Sequence, residues 1–254
     1  MKKHIRIIVI VIAAAVFMVS AYQIFANLSE KKEAENIYES IASQAVTVIT
    51  PQNENSSDTQ DVNTPPITVN FEQLKQTNSD IVGWIYCADT PINYPIVKID
   101  DSDDYDYYLA HTFDGKKNSS GSIFTDCRNT GLFNDYNNIL YGHSMKNGTM
   151  FAYMLRYTNQ EFYNSHKYMW LFTENETYRI DIIGAINVSA NANEYLIPQS
   201  DSELEDLISS FTSGSAFKSE ADISTAKKTV MFSTCAYNGD DRRFIVLGSL
   251  VKIK

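Results

Sequence analysis

Cysteine is scarce: three residues, Cys87, Cys127 and Cys235, in a chain of 254. That excludes a small disulfide-stapled scaffold, since such domains are cysteine-dense. None of the three stands in a CxxC pair or among histidines at zinc-ligand spacing. A metal reading is therefore set aside, and no cofactor is expected. Basic charge is short as well. Lys and Arg number 21 against 31 Asp and Glu, for a net charge of -10, and no basic stripe occurs outside the extreme N-terminus. Phosphate binding needs Lys and Arg concentrated on one face, so a nucleic-acid partner is not expected. Internal repeats are lacking. The acidic stretch "DDSDDYDYY", starting at Asp100, has neither the glycine nor the closing glutamate of an EF-hand loop and reads as a solvated loop.

Only one long apolar run is present. Lys2, Lys3 and Arg6 precede an uncharged stretch from Ile7 to Ser29 that begins "IIVIVIAAAVFMV". A cleaved signal peptide would use this run as its apolar region, with "VSA" (Val19 to Ala21) offering small residues for cleavage. A retained anchor needs about 20 apolar residues, which Ile7 to Ala26 provides. The expectation is a retained single-pass anchor over residues 1–29, with the basic N-terminus cytoplasmic and the rest outside. An odd number of cysteines outside the cytoplasm leaves at least one free thiol.

Beyond the anchor, Ala34, Ile37, Ile41, Ala45 and Val48 recur at helical spacing, which suits a stalk helix or a helix lying on the main domain. "TPQNENSSDTQDVNTPP" has no apolar period and reads as a linker, so residues 30–66 form a stalk and linker. From residue 67 to 254, eight short β-branched or aromatic runs follow: "DIVGWIYCA", "INYPIVKI", "GSIFTD", "NNILYGH", "KYMWLFT", "TYRIDIIGAINVS", "KTVMFSTC" and "RRFIVLGSLVKI". Turn residues bound them, so a mostly-β barrel or sandwich is expected. Helical interruptions are few: "FEQLKQT", "MFAYMLRY" and "SDSELEDLISSF", the last with Ser200 or Ser202 as cap.

The last two runs raise a chemical question. "KTVMFSTC" ends at Cys235, Asn238-Gly239 marks a hairpin turn, and "RFIVLGSLV" returns. Antiparallel pairing brings Cys235 and Arg243 to the same end of the sheet. A cation there lowers a thiol's pKa or receives a developing oxyanion. Against this stands the plainer reading of a cysteine packed as a small hydrophobe. Nucleophilic cysteine chemistry also calls for a histidine. Four are present. His4 flanks the apolar run, His166 reads as an exposed loop residue and His111 as a hydrogen-bonded structural one. His143 ends the strand-like "NNILYGH", a placement suited to a catalytic partner.

In combination, "MFSTC", "RFIV" and "LYGHSM" resemble the sortases, class B most closely. "NSDIVGWIYCADTPINYPIV", "YYLAHTFDGKKNSSGSIFTDCRN" and "NNILYGHSMKNGTMF" resemble consecutive class B segments, so the likeness covers nearly all of residues 67–254. Cys127, where an aromatic residue is expected, is a departure.

The resemblance implies a closed eight-stranded sortase-type β-barrel with an N-terminal helical segment and a few peripheral helices. It implies a membrane-anchored cysteine transpeptidase that cleaves a C-terminal sorting signal after Thr and forms a thioester acyl-enzyme. The protein is then joined to an amine of a peptidoglycan precursor. Cys235 would be the nucleophile, His143 the acid and base, and Arg243 the oxyanion and substrate partner, with Ser233 and Thr234 lining the substrate groove. The segment Asn191 to Glu220 corresponds to the connection that helps form that groove. Cys87 and Cys127 are expected as buried or semi-buried thiols. The rival readings are a hydrolase on the same scaffold and a non-enzymatic stalked binding module.

Overall fold

The computed structural model describes residues 2–49, 62–99, 104–190, 194–235 and 242–253, apart from the side chains of Lys2, Lys3 and Cys235. The chain begins with one continuous helix, α1 (Lys2–Ala45). No glycine or proline occurs before Pro51, so nothing in this stretch breaks the hydrogen-bond ladder. Its first part is apolar and exposed throughout, and the helix is long and apolar enough to cross a membrane. Its second part behaves differently. Ala34, Tyr38, Ile41 and Ala45 form a buried stripe at helical spacing and join the barrel's apolar core. Between the two placements left open by the sequence, this helix lies on the main body.

A short strand, β1 (Val46–Val48), then pairs antiparallel with β2 (Ile67–Val69). Ile49 N donates to Pro66 O at 2.8 Å, so the two ends of the intervening segment meet. Most of the expected linker, residues 50–61, lies outside the described residues.

The barrel strands are β3 (Ile81–Tyr86), β4 (Asn93–Val97), β5 (Ile123–Thr125), β6 (Asn137–Tyr141), β7 (Tyr168–Phe172), β8 (Thr177–Ser189), β9 (Thr229–Cys235) and β10 (Arg242–Lys252). They close in the order β10-β8-β7-β3-β4-β5-β6-β9. Each of the eight runs read from the sequence contains one of them. The pairs β4–β5 and β6–β9 are parallel and the others antiparallel.

Strand alternation sorts the side chains into two clusters. Val230, Phe232, Phe244 and Val246 belong to the interior. Met231, Ile245 and Leu247 belong to an outer patch with Ile139 and Ile183. Helix α4 (Asp201–Gly214) covers that patch with Leu204, Leu207, Ile208 and Phe211. Phe211 is fully buried, and burial of such a side chain contributes about 2–3 kcal/mol. Ser200 caps α4 by accepting from Glu203 N at 3.3 Å, while Glu203 reaches back to Gln199 N at 2.9 Å.

The smaller helices sit between strands. α2 (Phe71–Thr77) is capped by Asn70. "MFAYMLRY" forms a 3-10 helix, Phe151–Thr158. A further helix, α3 (Gln160–Ser165), is capped by Asn159 and is too short to carry a periodic signal in the sequence.

Candidate active site

The site is built first by backbone register. In the antiparallel pair β9–β10, Cys235 stands directly opposite Arg243. On the other side of β9, the parallel partner β6 sets Tyr141 beside Ser233, and Gly142 N donates to Ser233 O at 3.1 Å. His143 follows Gly142 just past the end of β6, and it lines one cleft together with Arg243. The ends of three neighbouring strands thus bring Arg243, Cys235 and the His143 segment to the same end of the sheet. Ile139, Met231 and Ile245 belong to the outer cluster, so by alternation Tyr141, Ser233 and Arg243 occupy the outer face of the sheet. The Asn238-Gly239 turn between the strands falls outside the described residues.

Beside these strand ends lies a cleft of about 400 Å³. His143, Tyr141, Ser233, Thr234 and Arg243 line it, with Leu109, Thr125, Asp126, Arg128 and Tyr195. Gly142 leaves no room for a side chain: a Cβ there would meet the Phe151 ring at 2.7 Å. That close approach seats the end of β6 and the residue that follows it.

His143 is half-buried, and its Nε2 lies 2.8 Å from Leu109 O. A carbonyl only accepts, so this nitrogen carries its proton. The main-chain oxygen of His143 accepts from Phe151 N at 2.9 Å. Arg243 is half-buried, with Nη1 donating to Arg242 O at 3.2 Å. Its neighbour Arg242 is exposed and donates to Asn187 O at 3.4 Å. Thr234 points inward. Thr234 and Thr125 both belong to the cleft lining, and their hydroxyls are buried with no hydrogen-bond partner among the described residues.

One wall is a polar network that sequence reasoning missed. Arg128 holds Asp126 through two parallel bonds of 2.8 Å, and the Tyr141 hydroxyl donates to Asp126 Oδ2 at 2.8 Å. Burial pulls the Asp126 pKa upward, but the hydrogen bonds from Arg128 and Tyr141 outweigh it and hold the carboxyl below its ordinary value. Burial, reinforced by the Asp126 charge, pushes the Tyr141 hydroxyl far above its usual value, so it stays a donor. The Tyr141 ring stacks against Tyr195, with centroids 6.2 Å apart, and the Tyr195 hydroxyl meets Ser233 Oγ at 2.7 Å. Tyr195 comes from the connection between β8 and α4, the segment singled out as groove-forming. Residues 191–193 of that segment lie outside the described residues.

The other candidates separate. His111 is held at Nδ1 by Tyr107 O at 2.7 Å and stacks on the Tyr107 ring, a structural arrangement. His166 is half-buried rather than loose: it ends α3, with its ring stacked on Phe162 at 4.1 Å. Cys87 is buried, and burial pushes its thiol up to about 12, which leaves it unreactive. Cys127 corrects the expectation of a packed thiol. It is exposed on the cleft, because Asn129 N closes a turn onto Asp126 O at 3.0 Å and turns residue 127 outward.

No family model matches the chain. It is 31% identical over 244 residues, 94% of each chain, to Sortase B of Listeria monocytogenes serovar 1/2a. The chain belongs to the class B sortases. Among solved structures, this sortase superposes on sortase B from Bacillus anthracis in complex with AAEK1 with a TM-score of 0.70 at 30% identity, covering 89% of this chain and 99% of that one. A Staphylococcus aureus sortase B–substrate complex gives 0.67 at 28% identity, covering 72% and 85%. A sortase B complexed with triglycine gives 0.65 at 29%, covering 72% and 86%. The closed eight-stranded barrel with its N-terminal helix is the fold of these relatives, and the chain is a sortase-type cysteine transpeptidase. Its long apolar N-terminal helix fits a single membrane anchor.

Proposed function

We propose that this sortase cleaves a C-terminal sorting signal after a threonine and joins the new carboxyl end to an amine of a peptidoglycan precursor. The observation that supports this reading is the pairing of Arg243 opposite Cys235 on β9–β10, with His143 just past the end of the adjacent strand β6 and lining the same cleft as Arg243. Cys235 supplies the thiolate. It attacks the threonine carbonyl carbon, and the oxyanion that develops is met by the Arg243 guanidinium. His143 gives a proton to the departing amine as the C–N bond breaks, leaving a thioester on Cys235. The incoming amine then attacks the thioester, His143 takes a proton from it, and the thiolate leaves.

Because Nε2–H of His143 is committed to Leu109 O, Nδ1 is the nitrogen that exchanges these protons. Ser233 and Thr234 line the path of the peptide. The relatives' substrate and triglycine complexes support a peptide donor and an amine acceptor for this chain as well.

In the cell, residues 1–29 anchor the protein as a single pass, with Lys2, Lys3 and Arg6 on the cytoplasmic side. Residues 30–66 connect the anchor to the extracellular catalytic domain, 67–254. Surface proteins bearing a sorting signal and the precursor amine meet the enzyme at that membrane face, where tethering raises their effective concentration.

The test is intact mass of the full chain in detergent after incubation with a panel of sorting-signal peptides and no amine. A mass gain equal to a peptide cleaved after Thr, absent in Cys235→Ala, is the expected result. Absence of adduct and of cleavage across the panel overturns the reading.

A further inference from the structure

The packed half of α1 touches both chain segments that hold His143. On one side, Leu109 O takes the Nε2–H of His143 at 2.8 Å. Gly121 presses against Leu109. At φ 60 it sits where glycine is favoured, and a Cβ there would lie 2.7 Å from Leu109 O. The Gly121 carbonyl in turn accepts the Tyr38 hydroxyl of α1 at 2.5 Å. Gly121 and Leu109 thus link the helix to the imidazole, and the Tyr38 hydroxyl also meets Ser122 Oγ at 3.1 Å.

On the other side, His143 O accepts Phe151 N and closes the turn 143–151. Within that turn Asn147 Nδ2 donates to Glu35 Oε1 of α1 at 2.6 Å. Met150 N donates to the Tyr94 hydroxyl at 3.1 Å, and the Tyr94 ring meets Tyr38 edge-on, with centroids 5.3 Å apart. Met150 has φ 56, a conformation that persists in a non-glycine residue only where its surroundings enforce it.

We propose that α1 is a positioning element of the reaction: Tyr38 and Glu35 fix the two segments that aim the His143 ring. The proposal rests on the role given to His143 above. Tyr38 and Glu35 touch no reacting atom and act through Leu109 and the 143–151 turn. Their contribution is orientation, which appears in the rate and in the ring's tautomer rather than in substrate affinity.

The experiment uses the full chain in detergent, labelled with 15N-histidine, with His143 assigned by His143→Gln. Nitrogen shifts report which ring atom carries the proton, and the acylation rate is read with the peptide panel. In Tyr38→Phe and in Glu35→Ala, the Nε2–H population falls and acylation slows by about fivefold, the scale of one net hydrogen bond, with little change in KM. Glu35→Gln keeps an oxygen for Asn147 and restores most of the loss. If Tyr38→Phe does not fold, Glu35→Ala and Glu35→Gln, at a half-buried position, decide alone. Unchanged ring-nitrogen signals in the folded variants overturn the proposal. The functional reading fails separately: if no peptide acylates the wild type, the nitrogen spectra still report on α1.

Discussion

Phe232 and Ser233 are consecutive on β9 and almost equally buried, at 0% and 2% exposure, yet different forces keep them there. Phe232 faces the barrel interior, packed edge-on against Phe151 at 5.7 Å, and any apolar group of similar volume would satisfy the same surroundings. Ser233 faces outward into the cleft, where it is satisfied by one hydroxyl, that of Tyr195, at 2.7 Å. Interior positions are specified by volume and apolarity. Cleft positions are specified by individual atoms, because a buried polar group without its partner costs far more than a partnered one gains. The two faces of one strand should accordingly answer mutation in different ways: through stability for the interior, through catalysis for the cleft.

The largest effect expected is on the interior face. Phe232→Ala should cost about 3–5 kcal/mol in urea unfolding, through lost transfer energy and the cavity left behind. An equal loss from Ser233→Ala would break the comparison. Next comes the cleft face. Arg243→Ala should slow acyl transfer by roughly 100- to 1,000-fold, the scale of losing one oxyanion partner, with the melting temperature nearly unchanged. A large melting shift there would mean that Arg243 holds the hairpin instead.

Tyr195→Phe sharpens the contrast further. Ring stacking on Tyr141 is kept, while the bond to Ser233 is lost, so peptide KM should rise by about fivefold with folding preserved. The smallest effect concerns pH. The folded pKa of Asp126 lies below its ordinary value. Its ionised form therefore contributes stability above the unfolded carboxylate value, about 3.9, and that contribution is lost as pH falls through the lower folded value. Asp126→Asn should flatten the acid limb of melting temperature against pH, and an unchanged limb would remove Asp126 from the network.

The sequence carried the interior face well. Runs such as "NNILYGH" and "KTVMFSTC" declare strands through β-branched and apolar content bounded by turns, and all eight barrel strands lie within the expected runs. Cys235 and Arg243 were legible as neighbours because a short hairpin fixes their register locally. The nearness of His143 was not, because β6 and β9 are parallel partners far apart in the chain and no local pattern encodes that pairing. Asp126 and Tyr195 were missed for a related reason. Their importance lies in side-chain contacts between elements, and an aspartate after "GSIFT" looks like any strand-ending polar residue. The continuity of α1 was readable only in part: the apolar run and the amphipathic stretch register as separate signals, although no residue between them breaks the helix.

That continuity has a mechanical consequence. The body packs onto α1 from Ala34, about two turns beyond the last residues of the apolar stretch. With the apolar half in a bilayer, the helix becomes both a ruler and a dial. Each residue of uninterrupted helix between membrane and barrel adds about 1.5 Å of height and about 100° of rotation to the cleft. Three residues inserted after Ser29 would lift the opening by only about 4.5 Å while swinging it about 300° around the helix axis. The bearing of the cleft over the membrane, rather than its height, is the quantity this helix sets most sensitively.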